Sequence, residues 1–425
     1  MADFHMTEPE ETEIELIFAD ETTQEFDIGE APQDDDDDIM EDKDDEIRDD
    51  ADMVYHKHSG PVYSIKVNPL DPRMVITGGG DDAGVIWNLE NGNILYKLLG
   101  HQDSIVSVDF NHDGKYAATG GYDGVVKVWD VATGNQLTNL VGPTQEIEWI
   151  CWHKKGDVVL AGSGDGTVWM WLATTGECMH VFAGHEDGVT CGTFTGSGKM
   201  IVTGSTDCTV RVWNPKTGEC NHVFRGHGFH AEPVTFVVCH SSQPLSLSGS
   251  QDGTACLTQV QTKRILATLS HVTAAPGVPV TISDTTASTG NSVECGGFCN
   301  TMNWAATGCL GGYVRIWDLG TYQAIDNLHL SFVFFSFLTC TCRHTCRHPA
   351  GVIKLLWHPT LPTVYACTVE GLIYVWDART GKLLKSLAGH SDMVLDMTFI
   401  PDVNDNSVVK LLTASDDESV RLYQV

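Results

Sequence analysis

Four residue types that can do nucleophilic chemistry together recur along this chain: an imidazole, a hydroxyl, a carboxylate and an indole. They stand as His101, Thr119, Asp123 and Trp129, and at the same offsets as His185, Thr203, Asp207 and Trp213. A histidine oriented by a carboxylate can take a proton from a hydroxyl, so each set has the makings of an acyl-transfer triad. The set returns as His58, Thr77, Asp81 and Trp87. A catalytic constellation is needed once, beside a pocket and an oxyanion hole; repetition at a fixed interval indicates scaffold. Each aspartate is therefore read as shaping a tight turn and accepting a hydrogen bond from the imidazole, which the hydroxyl and indole N–H extend into a buried network. No enzymatic activity and no cofactor are expected.

A repeat must position these groups. Trp87, Trp129, Trp171 and Trp213 follow one another at separations of 42 residues, and weaker copies place Thr258, Trp317, Trp376 and Tyr423 in the same slot. Within each unit apolar residues alternate over four to seven positions between Asp-Gly or Thr-Gly turns, which is the pattern of short strands. Four such strands make a sheet that cannot hide both faces alone, so the copies must stack around an axis as an all-β propeller. The pairs Gly100-His101, Gly184-His185, Gly226-His227 and Gly389-His390, each followed 28 to 33 residues later by the Trp slot, make residues 56–425 resemble WD40 repeats. That resemblance implies the same structural tetrads. Eight slots predict eight blades, with seven as the alternative because the units ending at Thr258 and Tyr423 are degenerate. No spare strand is evident outside the units, so the ring is expected to close simply between first and last. Ala161 and Ala366 replace the hydroxyl in units three and seven, whose blades should rest more on packing.

Charge divides the chain. Residues 1–52 hold 24 Asp and Glu against Lys43 and Arg48, whereas the whole 425-residue chain carries −32. Such a segment cannot bury enough apolar surface to order itself, so residues 1–54 are expected to be a disordered acidic arm, either a solubility tail or a collector for something basic, ahead of the propeller at 55–425. A pI near 4.7 argues against direct nucleic-acid binding, which needs clustered Lys and Arg, and favours a basic protein partner. No signal-like start or membrane-length apolar run is present, and the fourteen cysteines lie mostly singly, so reduced thiols in a soluble intracellular monomer are expected, cytoplasmic and with nuclear residence left open.

Slot separations widen to 59 on both sides of Trp317, marking inserted loops at 271–292 and 330–347. The second is apolar and aromatic, then rich in Cys and Arg. Its Cys340, Cys342, His344, Cys346 and His348 fit a zinc inventory, but two-residue spacing lines all five along one strand face where structural zinc uses chelating loops. No metal is expected there, and His348 is the blade histidine of its unit.

A partner of a propeller meets the loops leading into the innermost strands and the turns between second and third strands. Aligning the units puts Asp103, Glu146, Glu148, Glu186, Asp187, Glu232 and Asp392 in the former, Asp416 in the latter, and Trp149 beside the third unit's carboxylates. Carboxylates converging about one axis would focus negative potential and hold Arg or Lys, although loop residues are often acidic merely because they are solvated. The stretch from Glu148 to Cys220, with the acidic arm and the eight units, resembles the family of the angio-associated migratory cell protein and its fungal relative, the dedicated chaperone of a large-subunit ribosomal protein of the L-sixteen type. Residues 56 to about 260 carry the resemblance and 331–347 depart from it. It implies a ribosome-assembly chaperone that holds the basic N-terminal segment of a newly made ribosomal protein. A scaffold in signalling or cell migration is the alternative.

Overall fold

The computed structural model describes residues 48–271, 291–320, 340–401 and 409–425. The acidic arm up to residue 47 and the central parts of both insertions lie outside them. Among the described residues, thirty-two strands form eight four-stranded antiparallel sheets. The strands are short because Asp-Gly and Thr-Gly turns interrupt them, and alternation within each turns one row of side chains toward each neighbouring sheet.

Eight first strands lead the blades: β2 (Val62–Val67), β6 (Ile105–Phe110), β10 (Ile147–Trp152), β14 (Cys191–Phe194), β18 (Val234–Cys239), β22 (Val293–Phe298), β26 (Val352–Trp357) and β30 (Val394–Pro401). Each touches the next, and β30 touches β2, so they form an unbroken ring around the axis. Packing lies between blades: Ala118, Val126, Val128 and Leu140 of the second meet Ile150, Trp152, Val159 and Trp171 of the third. Burial of each large apolar side chain is worth roughly 1.5–3 kcal/mol, so every blade depends on its neighbours.

The closure differs from the sequence expectation. The last blade comprises β30, β31 (Val409–Ser415), β32 (Val420–Gln424) and, as its outermost strand, β1 (Met53–Tyr55) from the other end of the chain. Met53, Val54 and Tyr55 pair with Leu422, Arg421 and Val420. The carboxylates just before β1 strengthen the seam. Asp49 bonds Arg421, Asp50 accepts from the Ala388 N–H at 2.9 Å, and Asp52 accepts from the Gln424 N–H at 2.7 Å. Burial pushes the Asp49 carboxyl up, but the Ala51 N–H and the Arg421 guanidinium outweigh it and hold it below its ordinary range.

A charge cluster reinforces the seam from inside. Asp396 on β30 accepts from Lys66 Nζ of blade one at 2.7 Å, from Lys354 Nζ of blade seven at 2.8 Å and from the Ile65 N–H at 3.1 Å. Burial alone would raise its carboxyl, yet the two ammonium groups hold it well below the usual range.

Both insertions end in blade structure. His271 is buried with Nε2 2.6 Å from Thr307 Oγ1, and residues 341–347 form β25 (Thr341–Arg347), the outer strand of blade six. The Cys and His residues there serve separate purposes: Cys342 is exposed, His344 bonds the Arg379 carbonyl at 3.1 Å, Cys346 is buried, and His348 accepts from the Trp376 indole at 3.0 Å. Cys340 packs at the edge of an apolar cluster. All fourteen cysteines are free.

Candidate protein-binding rim

The tetrads fix where the loops stand. In blade four His185 Nδ1 lies 2.9 Å from Asp207 and Nε2 lies 2.8 Å from Thr203 Oγ1, which accepts the Trp213 indole N–H at 2.8 Å. An ionised carboxylate only accepts, so Nδ1 carries the proton and the Thr203 hydroxyl donates to Nε2. Blade two repeats the chain, with His101 3.0 Å from Asp123 and 2.8 Å from Thr119, and Trp129 donating at 3.0 Å. Burial raises the Asp207 carboxyl, but hydrogen bonds from His185 and Thr209 outweigh it and hold it far below its usual range. Burial keeps His101 and His185 below theirs despite the aspartates.

Other blades vary the theme. In blade one His58 meets Asp81 and Thr77 at 2.8 Å each, but the Trp87 indole nitrogen finds no partner among the described residues, so the chain stops one link short. Blade five uses His230, 2.7 Å from Ser248, whereas His227 of the Gly-His pair is exposed. Blade eight pairs His390 with Asp417 at 2.8 Å and Thr413 at 2.7 Å.

One backbone hydrogen bond repeats in all eight blades and joins the two kinds of loop. The residue before the tetrad-aspartate position donates its N–H to a carbonyl just ahead of the first strand: Gly80 to Pro61, Tyr122 to Ser104, Gly164 to Glu146, Thr206 to Gly188, Gln251 to Pro233, Leu310 to Ser292, Val369 to Gly351 and Asp416 to Met393. A register shift follows near the start of seven of the eight first strands. Such bulges re-aim a side chain. Here they free Tyr63, Val106, Glu148, Thr235, Glu294, Ile353 and Leu395, all half-buried, from the ladder.

On this frame the acidic residues do not share one position. Asp103, Asp187, Glu232 and Asp392 occupy equivalent exposed places, two residues before the fully buried Ile105, Val189, Val234 and Val394, and the first, second and fourth cap the next backbone N–H at 2.7, 2.8 and 2.7 Å. Glu146 stands one residue nearer its strand, and Glu148 lies in the bulge. Glu186 stands apart and lines a cavity over blade four.

Two groups converge. Asp103, Glu146 and Glu148 gather about Tyr122, which is 45% exposed; burial raises its phenol, and those carboxylates with Tyr63 raise it further. Burial and the neighbouring Glu146 push Glu148 above the ordinary carboxylate range. Across the closure seam, burial with Asp392 and Asp417 does the same to Asp416. Like charges are thus crowded where a cation would relieve them.

Trp149 is not at the surface. It is 8% exposed, its indole N–H donates to the Val189 carbonyl at 2.9 Å, and its ring wedges blade three against blade four. The close approach needs glycines: a methyl on Gly162 or Gly192 would lie 2.2 or 2.3 Å from the ring. Tyr122, Tyr63 and Glu294 were missed. Tyr122 holds in blade two the turn position that Asp416 holds in blade eight, and Glu294 matches Glu148 in the bulge, so unit alignment contained both signals.

Among the described residues one trio could hold a cation, His112, Asp113 and Asp157, but Asp113 is already paired with Lys115 at 2.6 Å and both aspartates accept from Asn111. No described helix is long and apolar enough to cross a membrane.

This eight-bladed ring and its tetrads define a class, and the chain belongs to the WD40 family: the WD domain, G-beta repeat matches residues 92–130, 134–171, 176–214, 218–258, 340–377 and 381–424. Such propellers bind proteins. Within the family the chain is similar to the angio-associated migratory cell protein, 31% identical to that of Homo sapiens and 33% to that of Canis lupus familiaris, in each case over 374 residues covering 88% of this chain and 80% of the relative. Among solved structures, Saccharomyces cerevisiae Sqt1 superposes with a TM-score of 0.75 at 21% identity, covering 89% of this chain and 99% of that one. Chaetomium thermophilum Sqt1 bound to the N-terminus of the ribosomal protein L10 superposes with a TM-score of 0.72 at 20% identity, covering 89% and 100%. The client in that complex is named L10, which replaces the L-sixteen type expected from sequence.

Proposed function

We propose that this propeller is a ribosome-assembly chaperone that holds the basic N-terminal segment of a newly made large-subunit ribosomal protein on its acidic rim, acting as a monomer in the cytoplasm. The observation that carries the reading is the crowding of Asp103, Glu146 and Glu148 about Tyr122, with Glu148 held above its ordinary range by burial and Glu146. A guanidinium seated there would bond the carboxylates, lie against an aromatic ring and remove their mutual repulsion. The complex of a similarly folded protein with the N-terminus of a ribosomal protein supports that class of client.

Binding of a labelled Arg- and Lys-rich peptide, followed by fluorescence anisotropy at rising salt, tests the reading. The Glu146→Lys, Asp187→Lys variant should bind at least about tenfold more weakly at low salt and show a shallower salt dependence. Affinity purification with the same variant should lose ribosomal proteins. Their undiminished recovery, or capture insensitive to salt, would instead favour a scaffold with several binding faces.

A further inference from the structure

Four blades place a cationic side chain on the third strand directly opposite the tetrad threonine: Lys127, Arg211, Arg315 and Arg421, facing Thr119, Thr203, Thr307 and Thr413. Three have partners. Lys127 Nζ donates to Asn139 Oδ1 at 3.0 Å, Arg315 Nη1 donates to the Ser270 carbonyl, and Arg421 Nη1 is met by the Asp49 carboxylate. Arg211 has no hydrogen bond or ion pair among the described residues: its guanidinium carbon lies 6.0 Å from the centre of the Trp213 ring, and its Nε, like those of Arg315 and Arg421, is buried without a partner. Neighbouring Arg225 is exposed and likewise unpaired among them.

Both arginines line a cavity of about 240 Å³ over blade four, walled also by Glu186, Asp207, Cys208, Thr209 and His230. No side chain limits it near the loop of Gly226 and Gly228, where an added Cβ would meet nothing within 4 Å. Neither converging carboxylate group of the rim lines the cavity; the tetrad residues Asp207 and His230 border it but are committed to their own hydrogen bonds, which leaves the two guanidiniums as its unpaired donors.

The ring itself shows what fits such a place. Arg211 and Arg421 share one register, each beside the glycine of its blade's Gly-His pair: a methyl on Gly184 would lie 2.6 Å from Arg211 Nη1, and one on Gly389 2.9 Å from Arg421 Nη1. In blade eight an aspartate from a segment running along the outer edge of blade seven fills the gap, held by Asp50 against the backbone of Ala388. In blade four the corresponding gap is open, and Arg225 supplies a second guanidinium at its edge.

We propose that the Arg211–Arg225 cavity seats an aspartate or glutamate side chain of the bound polypeptide. A planar guanidinium can grip a carboxylate through two parallel N–H donors, and a pair of them gives a fixed anchor where a lone lysine would give only a point charge. The inference rests on the reading of the rim as a cradle for a basic segment and adds a register to it: cationic side chains lie over the carboxylates while one acidic residue locks into blade four. Glu186 and Asp207 in the cavity wall already oppose the two guanidiniums and disfavour further negative charge, so a single carboxylate is selected over an acidic run.

Short labelled Lys- and Arg-rich peptides carrying one Asp stepped along their length, each with an Asn counterpart, test this by anisotropy. At one position the Asp peptide should bind about tenfold tighter than its Asn partner. Arg211→Gln, Arg225→Gln should erase that preference while leaving the Asn peptide's affinity unchanged, and Arg211→Lys should restore it only in part. Melting curves confirm that the variants are folded. Absence of any preference, or its survival in the double variant, overturns the proposal, whereas failure of all the Asn peptides to bind overturns the cradle reading alone. In that event a short peptide with a single Asp, titrated while the arginine Nε–Hε resonances are observed, decides the matter: the Arg211 resonance must shift in the wild type. Displacement by inorganic phosphate without any Asp preference would make the cavity a general anion site and also overturn it.

Discussion

Blades four and seven solve the same problem with different parts. In blade four the Thr203 hydroxyl stands between His185 and Trp213, giving to one and accepting from the other. In blade seven Ala366 takes that place, and the Trp376 indole donates straight to His348 Nε2 at 3.0 Å while Nδ1 reaches the Gly312 carbonyl at 3.3 Å. Blade three goes further and has no histidine in the tetrad position: Trp169 donates to Thr167 at 2.7 Å, Thr167 bonds Asp165, and the Trp169 ring covers Gly142. Sheet register and the turn-to-loop hydrogen bond persist in all three blades. What the repeat requires is a satisfied polar connection beneath the rim, and the residues that make it can change.

If so, the same position should respond in opposite ways in the two blades. Thr203→Val keeps the shape but strands both the imidazole nitrogen and the indole N–H in a buried site, and should cost about 3 kcal/mol in denaturant unfolding. Ala366→Thr restores the family hydroxyl to blade seven, yet at 3.0 Å the indole and imidazole leave no room for an oxygen between them. The insertion should destabilise by about 1–2 kcal/mol. A stabilising Ala366→Thr would mean that the direct contact is a poor substitute rather than an equivalent solution.

The uneven legibility of the sequence follows from this tolerance. Period and alternation survive substitution, so eight blades could be counted even through Thr258 and Tyr423. The closure could not, because β1 is only Met-Val-Tyr behind a run of carboxylates, and no repeat marks a strand so short. His230 was hidden behind the nearer Gly226-His227 pair, although its separation from Asp252 equals that of His101 from Asp123. At the rim, alignment brought acidic residues to the right loops, but their direction depends on the bulge and on which carboxylates cap a backbone N–H. Trp149 turned inward because glycines in two adjacent blades leave it a slot.

Acid should separate the blades whose histidine bonds its aspartate directly from those without that bond, blade five among them, where Asp252 stands 3.9 Å from His230 and burial pushes the imidazole down to about 4. Burial depresses every shifted tetrad histidine, and in blades two, four and eight the aspartate offsets part of that depression. Blade six has Gly311 in the aspartate position; burial, helped by Arg315, pushes His271 down to about 3, and burial pushes His348 of blade seven down to about 4. A histidine whose folded pKa lies below its unfolded value near 6.5 contributes stability that is complete above 6.5 and is lost as pH falls toward the folded pKa. Each should therefore lose up to about 1.4 kcal/mol per pH unit below 6.5. Imidazole resonances followed from pH 7 to 4 should show the blade-two and blade-four histidines titrating before His271. Gly311→Asp should bring His271 upward, and the reverse order would assign the depression to something other than the missing carboxylate.

The smallest effect concerns the turn that carries the aspartate. Blade two follows Asp123 with Gly124 at φ +75°, a left-handed conformation that costs glycine little, whereas blade eight follows Asp417 with Glu418 at φ +64°. The side chain of Glu418 is exposed and makes no hydrogen bond or ion pair among the described residues, so only backbone strain distinguishes the two turns. Glu418→Gly relieves that strain but adds freedom to the unfolded chain, and the balance should favour the folded ring by about 0.5–1 kcal/mol. Paired thermal melts of wild type and variant would register this as a small rise in Tm. No change, or a fall, would show that the turn's conformation is held without strain by Ser419, whose hydroxyl already meets Asp417 at 2.6 Å, and that blade eight tolerates a side chain where blade two uses none.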